Sequence, residues 1–258
     1  MRDFINVMVL AVLQGVTEFL PVSSSGHLVI VQDMLGFKLP GIRLEVMLHL
    51  GTMLSIIVYY RKTLWDLVRG IFCGERASWV TTGHVALSAV PAVFFYVLFH
   101  EKVDAFYEDT RAVGGFLVFT GMVLCSLRWM RCSAGGVTTP RALLVGLAQA
   151  FAVLPGVSRS GMTIAAARMA GVEPRKAAEF SFLMCLPLLV GAAALDVVRD
   201  TVETSAELSW WLLLCGMVVA AVIGYVALAL LVRTLHGGKF WMFGVYCLVA
   251  GTLVLTLA

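Results

Sequence analysis

A carboxylate, three hydroxyls and an imidazole fall within ten residues near the start of the chain: Glu18, Ser23, Ser24, Ser25 and His27. A second polar group, Ser158, Arg159 and Ser160, lies in the second half. A hydroxyl beside a carboxylate or imidazole is the recipe for an activated nucleophile. Either base can take the hydroxyl proton and later return it. Gln14 stands four residues before Glu18, so a helix would put both on one face. Arginine binds phosphate bidentately, so Arg159 adds a natural anion ligand. The bland readings stand beside these: serines often only cap helices, an isolated histidine is usually a satisfied core residue, and Arg159 could simply pair with Glu18.

The elements that must position these residues are membrane-embedded. The chain has 258 residues, 60% hydrophobic and 14% charged, with a mean hydropathy of +0.92. Soluble domains carry about 25% charged residues, and a lipid-facing exterior accounts for the deficit. A net charge of +3 without a basic run excludes nucleic acid as a partner. The six cysteines, Cys73, Cys125, Cys132, Cys185, Cys215 and Cys247, form no CxxC pair and read as small buried hydrophobes. The apolar run after Arg2 is interrupted by Gln14 and Glu18 with no small-residue cleavage pattern, so it is expected to stay in the mature chain.

Six segments are expected to span: 44–60, 79–100, 112–131, 179–198, 209–232 and 240–258. Two further apolar regions are broken at their midpoints, 4–35 by PVSSSGH at 21–27 and 142–171 by PGVSRSG at 155–161. Their halves, about 10–15 residues each, are too short to cross alone, and Pro, Gly and Ser at the break favour a turn. The expected fold is therefore an all-α integral membrane protein with six transmembrane helices and two re-entrant helix hairpins. Two kinked spanning helices are the alternative for the hairpins.

The broken regions are copies. At an offset of 135, Gln14 matches Gln149, Val22 matches Val157, Ser23 matches Ser158, Ser25 matches Ser160 and Gly26 matches Gly161. One residue out of register, Glu45 matches Glu179. The chain reads as a single membrane domain of two repeats, about 1–131 and 140–258. A hairpin followed by three spans ends on the far side, so the second repeat starts inverted, an arrangement that builds sites at mid-depth. Both termini with 36–43, 101–111 and 199–208 would share one side, carrying six Lys and Arg: Arg2, Lys38, Arg43, Lys102, Arg111 and Arg199. The other side, 61–78, 128–141, 172–178 and 233–239, carries eleven and is expected in the cytoplasm. Both termini and the mouth of the first hairpin then face outward.

Each hairpin would restart as a helix at mid-depth, where free backbone N–H groups attract anions. Ser23, Ser25, Gly26, Ser158, Ser160 and Gly161 would line that cradle, with Gln14, and a phosphate is the natural guest. A charged Arg159 at that depth costs roughly 2.5–3.5 kcal/mol unless partnered. Glu45 and Glu179 would orient the hairpins or help hold a cation. His49, His84, His100 and His236 are expected on helix surfaces or at interfaces. Asp104, Glu108 and Asp109 read as a solvated outer loop.

QGVTEFLPVSSSGH at 14–27 and PGVSRSG at 155–161 resemble the two signatures of the undecaprenyl-diphosphate phosphatases, also called the bacitracin-resistance protein family, and LEVMLHLGTMLSIIVYYRK at 44–62 is similar to that family too. The resemblance covers nearly the whole chain. It implies a hydrolase of the bacterial inner membrane that converts undecaprenyl diphosphate to undecaprenyl phosphate and phosphate. Such an enzyme recycles the carrier lipid for peptidoglycan and confers bacitracin resistance. It also implies support by a divalent cation, Mg2+ or Ca2+, with Glu18 its carboxylate, and essential roles for Glu18, Ser24, His27 and Arg159. Gln14 stands where many members have Glu, and His49 where Gln is common. A second lipid-phosphatase superfamily needs SRxxxxxH, but the histidine position falls on Ala165. Any nucleophile must come from the first hairpin, Ser24 or His27. A transporter or flippase of a phosphorylated polyprenyl lipid is the alternative. A structural scaffold would leave Glu18 and Arg159 idle. The sequence leaves the oligomeric state open, a homodimer included.

Overall fold

The computed structural model describes residues 2–36, 43–130, 134–200, 208–235 and 238–257, without the side chains of 43 and 195–200. Lys38, Arg131, Cys132 and His236, the side chains of Arg43 and Arg199 and most of 36–43 and 199–208 lie outside the described residues. The chain forms α1 (Arg2–Phe19), α2 (Ser24–Leu35), α3 (Arg43–Tyr59), α4 (Arg61–Phe72), α5 (Arg76–Tyr107), α6 (Thr110–Ser126), α7 (Thr139–Phe151), α8 (Arg159–Met169), α9 (Pro174–Asp200), α10 (Trp210–Thr234) and α11 (Met242–Leu257). No strand occurs among the described residues. An isolated bridge joins Gly135 to Val172.

Four helical stretches are long and apolar enough to cross a bilayer: Arg76–Tyr107, Thr110–Trp129, Pro174–Ala194 and Trp210–Thr234. Leu44–Tyr59 and Met242–Leu257 are shorter apolar helices. The chain is an all-helical, multi-pass membrane protein. Helices of this kind satisfy every backbone group internally, which hydrocarbon demands.

Between apolar helices in lipid, close packing and interhelical hydrogen bonds replace the hydrophobic effect. The packing is crossed along the sequence. Helix α1 lies against α10, which also packs on α3, while α7 lies against α5 and α6 against α11. The Ser55 hydroxyl on α3 donates to the Ala221 carbonyl of α10 at 2.7 Å. Phe19, at the end of α1, is fully buried against Phe182 of α9, ring centroids 5.6 Å apart.

Several sequence expectations are corrected. The stretch 61–78, expected only to lie outside the spans, holds a helix, α4, whose Trp65, Val68 and Phe72 are exposed beside Arg61, Lys62 and Arg69. Its apolar stripe repeats at three and four residues but is too short to register as a span. The outer loop is likewise shorter than expected. Helix α5 runs on through Asp104 to Tyr107, and Asp109 caps α6 by accepting from the Arg111 and Ala112 N–H groups at 2.9 and 3.1 Å. Helix α1 has 18 residues, longer than the half-hairpin anticipated. Cys185 and Cys247 are buried, but Cys125 and Cys215 are only partly so and Cys73 is exposed.

Candidate active site

Two chain reversals build the site. Pro21 cannot extend α1, and the chain turns through Leu20–Ser23 to restart as α2 at Ser24. Ser23 is the one non-glycine residue with positive φ among the described residues, at φ 68°. Such a conformation costs about 1–3 kcal/mol. Two hydrogen bonds offset it: the Ser23 hydroxyl oxygen accepts from the Gly26 N–H at 3.3 Å and from the Gly156 N–H of the other turn at 3.1 Å.

The second reversal, between α7 and α8, carries Pro155 and Gly156. Gly156 has φ +96°, and a Cβ there would stand 2.5 Å from the Val113 carbonyl oxygen. A Cβ on Gly26 would meet the Gly156 Cα at 2.9 Å, so the two turns touch backbone to backbone. Ser158 caps α8, accepting from the Gly161 N–H at 3.1 Å. Thr120 of α6 donates to the Gly156 carbonyl and accepts from the Ser158 N–H, both at 3.1 Å. The Ser160 hydroxyl donates to the Leu20 carbonyl at 3.3 Å. The Ser23, Ser158 and Ser160 hydroxyls and the Gly26 and Gly161 N–H groups thus hold the joined turns in place. Among the described residues, the N–H groups of Ser24, Ser25, Arg159 and Ser160 reach no protein acceptor and remain available to an anion.

Glu18 is the hub. It is 5% exposed. Its Oε2 accepts from the Ser24 hydroxyl at 2.5 Å and from the Gln14 amide at 3.1 Å, and its Oε1 pairs with Arg159 Nη2. Ser24 and Arg159 are both half-buried, so they form the accessible side of the cluster with the carboxylate behind them. His49 also belongs here, which corrects its assignment to a helix surface or interface. Its Nδ1–H donates to the Glu45 carbonyl at 2.8 Å, and its Nε2 stands 3.9 Å from Glu18 Oε2.

His27 is buried one turn along α2 from Ser24. Its Nδ1 bonds the Ser23 carbonyl at 2.8 Å and its Nε2 the Tyr246 hydroxyl at 2.7 Å. The Ser25 hydroxyl lies 3.4 Å from that of Ser23 and within hydrogen-bond reach of Tyr107. Glu45 accepts from Gln32 at 3.2 Å, while Glu179 neighbours Tyr60 and Arg175 and does not join the cluster. Sequence reasoning missed His49 and Tyr246. The signals for the first were its place in a family position where Gln is common and its four-residue spacing from Glu45. Nothing local marked the second, 219 residues from His27.

No three His, Cys, Asp or Glu side chains among the described residues cluster to hold a metal ion. One carboxylate, already engaged by Ser24, Gln14 and Arg159, does not make an all-protein metal site. It does suit Mg2+, which keeps waters and is bound by one or two carboxylates together with substrate phosphates.

A hydroxyl on a buried carboxylate, an adjacent guanidinium and four free N–H groups are equipped for phosphoryl transfer. The sequence pattern of the family described as Bacitracin resistance protein BacA matches residues 7–253. An undecaprenyl-diphosphatase of Halothermothrix orenii is 34% identical over 261 residues, covering 99% of this chain and 98% of the relative. One of Desulfosudis oleivorans is 38% identical over 268 residues, with 97% of each chain covered. One of Rhodopirellula baltica is 36% identical over 262 residues, covering 100% of this chain and 99% of the relative. With its two turns, its Ser24–Glu18–Arg159 cluster and this full-length similarity, the chain belongs to the bacitracin resistance protein BacA family.

Proposed function

We propose that this chain is an undecaprenyl-diphosphatase, hydrolysing undecaprenyl diphosphate to undecaprenyl phosphate and phosphate. It thereby recycles the carrier lipid for cell-wall synthesis and confers bacitracin resistance. The contact between the Ser24 hydroxyl and Glu18 carries this reading. A carrier of the same lipid would need the anion cradle but no hydroxyl held on a buried carboxylate.

Ser24 Oγ attacks the terminal phosphorus, Glu18 takes its proton, and undecaprenyl phosphate leaves with the bridging electron pair. Arg159 and the N–H groups at the starts of α2 and α8 hold the charge that develops on the equatorial oxygens. Water then attacks the phosphoserine. His27, three residues from Ser24 and so on the same face of α2, takes the water proton. Glu18 returns its own proton to Ser24 Oγ, and phosphate departs. A Mg2+ or Ca2+ ion arriving with the diphosphate would be held by Glu18 and the phosphates and would neutralise part of their charge. Gln14 keeps the Glu18 carboxylate oriented, and Ser25 borders the cradle.

Purified protein in detergent will release one inorganic phosphate per undecaprenyl phosphate formed from undecaprenyl diphosphate. Release of intact diphosphate, or of nothing, overturns the hydrolase reading.

Six spans and two re-entrant hairpins in inverted repeats are the architecture proposed for this enzyme. The crossed packing of α1 on α10 and α7 on α5 supports it, because exchanging the repeats turns one pair into the other. The repeats have diverged in chemistry. At the offset of 135, Glu18 faces Val153 and Ser24 faces Arg159, so one hairpin brings base and nucleophile and the other the cation. The Lys and Arg imbalance supports an orientation with both termini and the site's mouth on the outer face of the inner membrane. In cells, with other thiols removed, Glu108→Cys will label with an impermeant maleimide, and native Cys73 alone will not. The reverse pattern inverts the topology.

A further inference from the structure

The His27 imidazole is gripped at both nitrogens. Because Nδ1 faces a backbone carbonyl, it must carry the proton in the neutral ring, and Nε2 is left as the lone pair. The group on that lone pair is the Tyr246 hydroxyl at 2.7 Å, which therefore donates. The two rings run nearly parallel, 14° apart, with centroids 5.7 Å apart. Tyr246 belongs to α11, in the other half of the chain, and its neighbour fixes it there. The buried Cys247 thiol contacts the Pro21 carbonyl of the first turn at 3.5 Å, and α11 is packed along α6. Tyr246 itself is 48% exposed, so only its contact with His27, not its whole side chain, is buried. Among the described residues no ion pair reaches His27. Glu18 and Arg159 engage each other, and the groups facing the ring are Tyr246 from α11 and the Ser23 and Val22 backbone of its own turn.

We propose that Tyr246 is a positioning residue for the second half of the reaction. The Ser23 carbonyl sets the tautomer of His27, and Tyr246 holds the ring at its basic Nε2 and reserves the place that the hydrolytic water takes. This rests on the hydrolase reading above, in which His27 serves the water and Glu18 serves Ser24. When water replaces the phenol on Nε2, its oxygen bonds phosphorus and its proton passes to Nε2. The bond from phosphorus to Ser24 Oγ breaks, and Oγ recovers the proton held by Glu18. Formation of the phosphoserine does not use Tyr246.

The test is rapid-quench kinetics of the purified full chain with undecaprenyl diphosphate, comparing the parent with Tyr246→Phe. The expected result is an unchanged rate of phosphoserine formation, an unchanged KM and a steady-state kcat lower by about tenfold. Phosphorylated enzyme should then accumulate. An unchanged kcat reduces Tyr246 to packing. A raised kcat means that the phenol was shielding a nucleophilic His27. Equal slowing of both phases makes it a positioning residue for Ser24. Each of these three overturns the proposal. Should the Phe variant aggregate, 3,5-difluorotyrosine at position 246 keeps the shape and makes the phenol more acidic. A change in dephosphorylation rate supports the proposal, and none overturns it. A parent protein that releases no phosphate sinks the hydrolase reading itself, whereas a normal parent with an indifferent variant sinks only the role of Tyr246.

Discussion

Ser24→Ala will lower phosphate release by at least about a thousandfold, because it removes the one hydroxyl in contact with the buried carboxylate. The substitution touches little else. Ser24 begins α2, its side chain makes one bond, and alanine is a good helix residue. Glu18 keeps Arg159 and Gln14 as partners, so the variant should elute from size-exclusion chromatography like the parent. Turnover is read as phosphate release, and the intermediate by mass spectrometry after acid or base quench. The parent should yield a phosphoserine at position 24 and the variant no phosphoprotein. Retention of near-parent turnover would end the serine mechanism. A phosphate that is lost in acid and survives in base would move the nucleophile to His27.

Arg159→Lys is expected to lower kcat/KM by about a hundredfold, or about 2.7 kcal/mol of transition-state stabilisation. Charge survives this change, but the planar fork does not, and with it goes the fixed bidentate geometry that lets one side chain hold a carboxylate on one edge and a phosphate on another. The resting structure explains why stability should respond less than activity. Arg159 offsets the charge of Glu18, and a lysine ammonium can still do so. Thermal unfolding in detergent should therefore shift little while activity falls. Full activity in the lysine variant would reduce Arg159 to the structural partner of Glu18.

The sequence showed the clustering of Glu18, Ser24 and Arg159 because broken apolar runs and duplicated turns are local patterns. It left two readings of Arg159 open, phosphate ligand or partner of Glu18, and the resting geometry contains the second. Helix α4 went unread because cations at Arg61, Lys62 and Arg69 mark the stretch as extramembrane and draw attention from its short apolar stripe. His49 and Tyr246 escaped for another reason. Their side chains acquire meaning only when α3 and α11 are laid against the first hairpin, and no spacing along one chain records that packing. The serines have a second role that the sequence did not separate from the first: the Ser23, Ser158 and Ser160 hydroxyls bond within and between the turns in the resting structure.

The crossed packing also sets an order of assembly. Glu18 and Arg159 are 141 residues apart, and α10, the partner of α1, ends at Thr234. At about 5–20 residues per second, roughly 200 residues of synthesis between α1 and the end of α10 take about 10–40 s. For the first 141 of those residues, about 7–28 s at that rate, the ribosome has delivered a carboxylate without the guanidinium that neutralises it. The first hairpin must wait at the membrane surface or in the insertion machinery, and catalytic competence arrives with the last helices made.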